Sequence, residues 1–195
     1  MKKENRKIIF LFPLLIYLIS ALVGCTSSQE RCILVVHSYE ETYTAYPEFN
    51  RLIAKQFKKE GVNADIRTLY LDCESYKEET ELKRMRYLLD SVSGDWRPEV
   101  ILVNEDQATY SLLKCGDPLV KEVPVVFAGV NYPNWELLKQ YPNATGFHDK
   151  IGFVQNAEMA RKLFGDSVRL FTLLDSTFLD VQIRKDARKQ LAGHR

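Results

Sequence analysis

Cysteine, histidine and a few carboxylates carry what reactive chemistry this chain of 195 residues can offer. The thiols Cys25, Cys32, Cys73 and Cys115 are scattered, and no CxxC pair occurs. The three histidines stand apart as well, so nothing has the paired ligand spacing that zinc requires. His37 with Glu105 or Asp106 is the one acid–base combination a hydrolase-like or flavodoxin-like enzyme would use. Against it, the chain holds no GxSxG elbow, no GxxxxGK[ST] phosphate loop, no GxGxxG after the first strand and no HExxH. Without a glycine-rich first turn the backbone cannot wrap a pyrophosphate closely. Glu105 and Asp106 are adjacent at the start of a helix and point in different directions, so they make no catalytic carboxylate pair. The expectation is a protein that is not an enzyme and needs neither cofactor nor metal.

A second kind of chemistry, noncovalent capture of a small molecule, is better represented. The stretches "HSYEETY", "DCESY", "NEDQ" and "GVNYPNW" hold His37, Ser38, Tyr39, Tyr43, Asn104, Glu105, Asp106, Asn131, Tyr132 and Trp135. Aromatic walls with a few directed polar groups are what small-ligand pockets use. Each group also has a structural reading. His37 and Ser38 can simply end a strand, and Asn104 suits the N-cap of a helix, with Glu105 and Asp106 in its first turn favoured by the dipole. Gly129 and Asn131 fit a turn, and Tyr132 and Trp135 fit hinge packing.

Those four stretches follow four apolar runs. Residues 32–36 ("CILVV") read as a strand buried on both faces. A helix over 46–60 places Phe49, Leu52, Ile53 and Phe57 on one face, closed by Gly61. "VNADIRTLYL" follows as a strand, and "SYKEETELKRMRYLLDSVSG" as a helix with Leu82, Met85, Leu88, Leu89 and Val92 on one side. "PEVILV", "NEDQATYSLLKCG" and "VPVVFAGV" then give strand, helix and strand. Strict alternation predicts a parallel sheet in a doubly wound, Rossmann-like α/β lobe, with ligands at the carboxyl ends of the strands. "NATGFH" reads as a crossing strand or hinge, and the rhythm restarts with a helix over 152–164, a strand "VRLFTLLD" and a helix over 178–191. One or two strands cannot bury both faces of a sheet. The division expected is a first ligand-binding lobe over 31–147 and an incomplete second α/β lobe over 148–195, the chain being a fragment or its other half lying elsewhere.

The first 24 residues are of another character: Lys2, Lys3, Arg6 and Lys7, then an uncharged apolar run over 8–23 containing Pro13. This is the pattern of a signal peptide, with an uncleaved membrane anchor as the alternative. "LVGC" at its end is similar to the lipobox of bacterial lipoproteins, which implies acylation of Cys25 and a polar tether over 25–30. The protein is then expected on the periplasmic side, extracytoplasmic and held to the membrane by lipid. The mature part keeps Cys32, Cys73 and Cys115, whose disulfide state is open. With 27 basic and 26 acidic residues the charge is nearly balanced, and no basic run marks a nucleic-acid surface.

"ILVVHSYEETY", "VILVNEDQA", "VPVVFAGVN" and "NATGF", in this order, resemble the ABC-transporter-type substrate-binding proteins, in the branch that also serves as extracytoplasmic sensor domain of bacterial histidine kinases. The resemblance covers residues 31–191. It implies a periplasmic-binding-protein-like fold of two α/β lobes that close on a small solute. It also implies ligand contacts at His37-Ser38-Tyr39, at Asn104-Glu105-Asp106 and at Asn131 of the Gly-Val-Asn block, and an ABC permease or a histidine kinase core as partner. The chain departs from the family in lacking most of the second lobe and any kinase segment. The function expected is a lipid-anchored, extracytoplasmic small-solute binding protein, or alternatively the N-terminal sensor domain of a two-component kinase.

Overall fold

The computed structural model describes residues 30–92, 94–174 and 178–193. The signal segment and Cys25 lie outside the described residues. Five strands form one wholly parallel sheet: β1 Arg31–His37, β2 Ala64–Tyr70, β3 Val100–Asn104, β4 Val125–Val130 and β5 Ala144–His148, in the order β2-β1-β3-β4-β5. Between and after them run helices α1 Tyr46–Lys59, α2 Glu78–Val92, α3 Asp106–Lys114, α4 Leu119–Glu122, α5 Trp135–Leu138, α6 Phe153–Phe164 and α7 Phe178–Leu191.

β1 is central because its apolar run has no polar face, and Ile33 to His37 are all buried between β2 and β3. The helix faces match their spacing. α2 buries Glu81, Met85 and Leu89, at i, i+4 and i+8, and α3 buries Ala108, Leu112 and Leu113. The apolar ones among these side chains, Met85, Leu89, Ala108, Leu112 and Leu113, join Leu34, Val36, Ile101, Val103, Val125 and Phe127 in one core. Chain order reverses between β1 and β3, which makes their carboxyl ends a topological switch point, the usual place for a ligand crevice in open parallel sheets.

Two expectations are corrected and one is sharpened. Of the two readings of "NATGFH", the strand is the one that forms: residues 144–148 are β5, a parallel neighbour of β4 in the same sheet. Glycine is needed there, since a Cβ on Gly146 would sit 2.0 Å from the Phe127 carbonyl oxygen. Asn104 is not a helix cap but the last residue of β3, and the N-cap position of α3 belongs to Glu105. The strand expected in "VRLFTLLD" does not form over residues 168–174, where Phe171 and Leu173 are 90% and 99% exposed. A strand exists only where a neighbour satisfies its backbone, and the described residues supply no partner there.

α6 and α7 contact each other. The Gln190 side chain accepts from the Phe153 backbone N–H at 3.2 Å and donates to the Ile151 carbonyl at 3.0 Å. Among the described residues no helix is long and apolar enough to cross a membrane.

Candidate functional site

The carboxyl ends of β1 and β3 are joined by a buried polar frame. Ser38 is fully buried. Its hydroxyl donates to the Asn104 carbonyl at 3.0 Å and accepts the Ala108 backbone N–H at 2.9 Å. Ala108 is the third residue of α3, so a serine just past the end of β1 satisfies the orphan donor that a local N-cap would serve. Asp106, also buried, turns its carboxylate to the loop after β4. It accepts from the backbone N–H groups of Asn131 and Tyr132 at 2.9 and 3.0 Å and from the Asn131 amide at 3.2 Å.

Glu105, between these two, has φ 76°, a left-handed conformation rare for a residue with a side chain. Its backbone N–H donates to the Ala128 carbonyl at 2.7 Å, and its carboxylate accepts the Tyr46 hydroxyl at 2.8 Å. The same hydroxyl accepts the Tyr39 N–H at 3.0 Å. Burial raises the Glu105 carboxyl above the usual range, against hydrogen bonds from Tyr46 and Ser38 that pull it down. Such strain, maintained by its surroundings, is a mark of functional sites. Gly129 faces it: at φ +66°, a Cβ there would lie 3.2 Å from Asn104 Oδ1 and 3.5 Å from Glu105 Cγ.

His37 does not line a cleft. It is fully buried, its ring stacked on Tyr46 at 3.9 Å between centroids, with Phe49 edge-on and Tyr70 at 5.6 Å. Nε2 lies 2.8 Å from Asn50 Oδ1, an acceptor, so Nε2 carries the proton and the buried Nδ1 has no partner. Burial lowers its pKa, against the Asn50 bond, so the imidazole is neutral. Tyr46 stands between His37 and Glu105, stacked on the one and bonded to the other, and the pairing an enzyme would use is not made.

Above this frame lie two open clefts. One, of about 550 Å³, is lined by Tyr39, Cys73, Glu81, Gln107, Tyr110 and neighbouring residues. The other, of about 410 Å³, is lined by Asn131, Tyr132, Trp135, His148, Lys185 and Lys189 among others. The Tyr110 hydroxyl bridges them, donating to the Tyr132 carbonyl and accepting the Asn134 N–H at 3.0 Å. The residues singled out from the sequence therefore separate into layers. Tyr39 lines the first cleft and Tyr43 stacks on it at 4.8 Å. Asn131, Tyr132 and the half-exposed Trp135 line the second, the indole edge-on to His148 at 5.5 Å. His37, Ser38, Asn104, Glu105 and Asp106 are not among the lining residues of either cleft.

Sequence reasoning missed Tyr46, Asn50 and Tyr70 around His37, and Glu81, Gln107 and Tyr110 in the first cleft. Gln107 stands within the quoted "NEDQ", three residues past a strand end, which is signal enough. The others are brought in by helix packing and leave no local mark. Cys32, Cys73 and Cys115 are free thiols, and burial pushes Cys73 up to about 12, where it is inert as a nucleophile. Tyrosine rings, carboxylates and amides arranged this way can hold a molecule by contact and hydrogen bonds.

No family model matches the chain, and none of the curated proteins is similar to it in sequence. Solved structures are similar in fold. A conserved domain protein from Vibrio cholerae O1 biovar El Tor superposes with a TM-score of 0.64 at 16% identity, over 84% of this chain and 54% of its own. The ligand-free, open structure of a substrate-binding protein with adhesive properties from Clostridium difficile gives 0.52 at 14%, over 83% and 53%. The chain thus spans about half the length of each. At these identities the likeness concerns the fold alone, and it agrees with the strand order: the chain has an α/β, parallel-sheet lobe of the periplasmic-binding-protein-like kind.

Proposed function

We propose that this chain provides the first lobe, over residues 31–147, of an extracytoplasmic small-solute binding protein, with residues 148–195 opening a second lobe. The single observation that carries this reading is the tyrosine-walled cleft at the switch point of the sheet, set over a rigid polar frame. Open parallel sheets bind ligands there, and the lobe does so by contact and not by bond-making. Cys25 carries the lipid in this reading and residues 25–30 tether the lobe to the membrane. The coupled partner is an ABC permease, or a histidine kinase core in the sensor form of the same module. An in-frame kinase core decides for sensing, and neighbouring permease and ATPase genes for transport.

Thermal unfolding of the purified chain against amino acids, nucleosides and sugars tests the binding role. A true ligand at a hundredfold excess over its Kd adds about 2.7 kcal/mol of apparent stability by mass action. A panel that leaves the melting temperature unmoved counts against solute binding. Metabolic labelling with palmitate tests the anchor: label is expected on the wild type and lost in Cys25→Ser, and an unlabelled wild type refutes lipidation.

A further inference from the structure

The first cleft has a charge balance of its own. Glu74, Glu78, Glu81 and Asp180 line it, against Lys77 and Lys114. The Lys114 ammonium lies 2.7 Å from Glu78, so that pair cancels locally, and Asp180 has an interaction of its own; Glu74 and Glu81 then face Lys77 among the lining residues. The hydrogen-bonding groups have the same bias. Gln107 lines the cleft and its buried Oε1 has no partner. Glu81, only 8% exposed, accepts the Ser111 hydroxyl at a long 3.3 Å. Burial holds its carboxyl above the ordinary range, a penalty that a bound positive charge relieves. Tyr39 and Tyr110 add ring surface, and aromatic faces attract cations. Arg84, behind Tyr76 at 5.1 Å from its ring centroid, donates to the Leu71 carbonyl at 2.7 Å and is not among the lining residues.

We infer that this cleft selects an organic cation, an amine joined to an aromatic or aliphatic body, and rejects carboxylates; this inference rests on the solute-binding reading above. A carboxylate or phosphate would enter beside Glu74 and Glu81. A neutral sugar would leave the buried Glu81 with only Lys114 as counter-charge, an ammonium already bonded to Glu78. An ammonium group meets Glu81 and Gln107 as acceptors while its body lies against tyrosine.

Isothermal titration of the purified chain with phenethylamine, L-phenylalanine and 3-phenylpropionate tests this, since the three share a ring and differ in charge. Phenethylamine is expected to bind at least about tenfold tighter than the other two. Glu81→Gln and the exposed Glu74→Gln, each checked for folding by circular dichroism, are expected to weaken it by about tenfold to a hundredfold, as for the loss of a hydrogen bond to a charged group. Equal or tighter binding of L-phenylalanine or 3-phenylpropionate overturns the cation selectivity and leaves solute binding intact. Phenethylamine binding untouched by both variants overturns the placement in this cleft. Failure of phenethylamine to bind also overturns the inference, and the panel of amino acids, nucleosides and sugars then shows whether the solute-binding reading falls with it.

Discussion

Replacing Tyr46 by phenylalanine removes one hydroxyl that serves two buried partners. The ring remains, so its stacking on His37 at 3.9 Å is kept and no large cavity opens. The Glu105 carboxylate loses its donor at 2.8 Å and the Tyr39 N–H loses its acceptor at 3.0 Å. A hydrogen bond to a charged group contributes about 1.5–3 kcal/mol, and an orphaned buried donor costs about 1–3 kcal/mol. Because the two share one oxygen they do not add fully, and a loss of about 3 kcal/mol is expected. For a chain of this length that corresponds to a drop of roughly 6–12 °C in Tm.

The cost has a pH signature. Burial raises the Glu105 carboxyl when folded, so its contribution to stability is fully present below the unfolded value and is lost as pH rises through the folded pKa. The Tyr46 bond favours the ionised form, and removing it moves the carboxyl further up. The penalty of Tyr46→Phe is therefore largest at neutral pH and shrinks as pH falls toward the ordinary carboxylate value of 4.5. Paired urea unfolding curves at the two pH values, with circular dichroism as readout, measure it. A cost below about 1 kcal/mol, or one equal at both pH values, refutes the role given to this hydroxyl.

Other substitutions probe the same frame. Asp106→Asn leaves the backbone N–H groups of Asn131 and Tyr132 with one acceptor oxygen and an amide that competes with them. It is expected to cost about 2 kcal/mol and to speed hydrogen exchange at both amides; unchanged protection contradicts it. Gly129→Ala is expected to cost more than Gly61→Ala. Both have positive φ, a cost of about 1–2 kcal/mol, but only at Gly129 does the new Cβ meet a neighbour, at 3.2 Å. Equal costs in chemical denaturation would show that the approach to Asn104 carries no strain. His37, with its pKa lowered by burial, contributes stability that is present above the ordinary value of 6.5 and is lost as pH falls below it. Its imidazole resonances are expected to titrate below 6.5 in NMR, and a midpoint at or above that value rules out the buried neutral ring.

Most of the α/β alternation was legible because periodicity is a local property. The apolar run of β1, the i, i+4, i+8 face of α2 and the glycine after α1 all stand in the sequence and all recur in the fold. The cleft was legible only as a region. Strand ends pointed to Tyr39, Asn131, Tyr132 and Trp135, which do line the two clefts, whereas His37 and Ser38 were read as facing a ligand and are buried. A polar residue at a strand end reads as exposed until a helix packs over it, and here α1 does so with Tyr46 and Asn50.

What the sequence by itself determined is the order of elements, the parallel sheet and the end of it where polar and aromatic groups collect, since these follow from hydrophobic period and short connections. Tertiary structure decided the rest. Ladder partners turn residues 144–148 into a strand and leave 168–174 without one. Contacts from other elements hold Glu105 at a positive φ that no glycine announces, tied to Ala128 and Tyr46. The physical reason is common to both. Backbone pairing and burial are satisfied by groups far away in the chain, so local pattern places a residue at the site but does not say whether it supports the cleft or faces it.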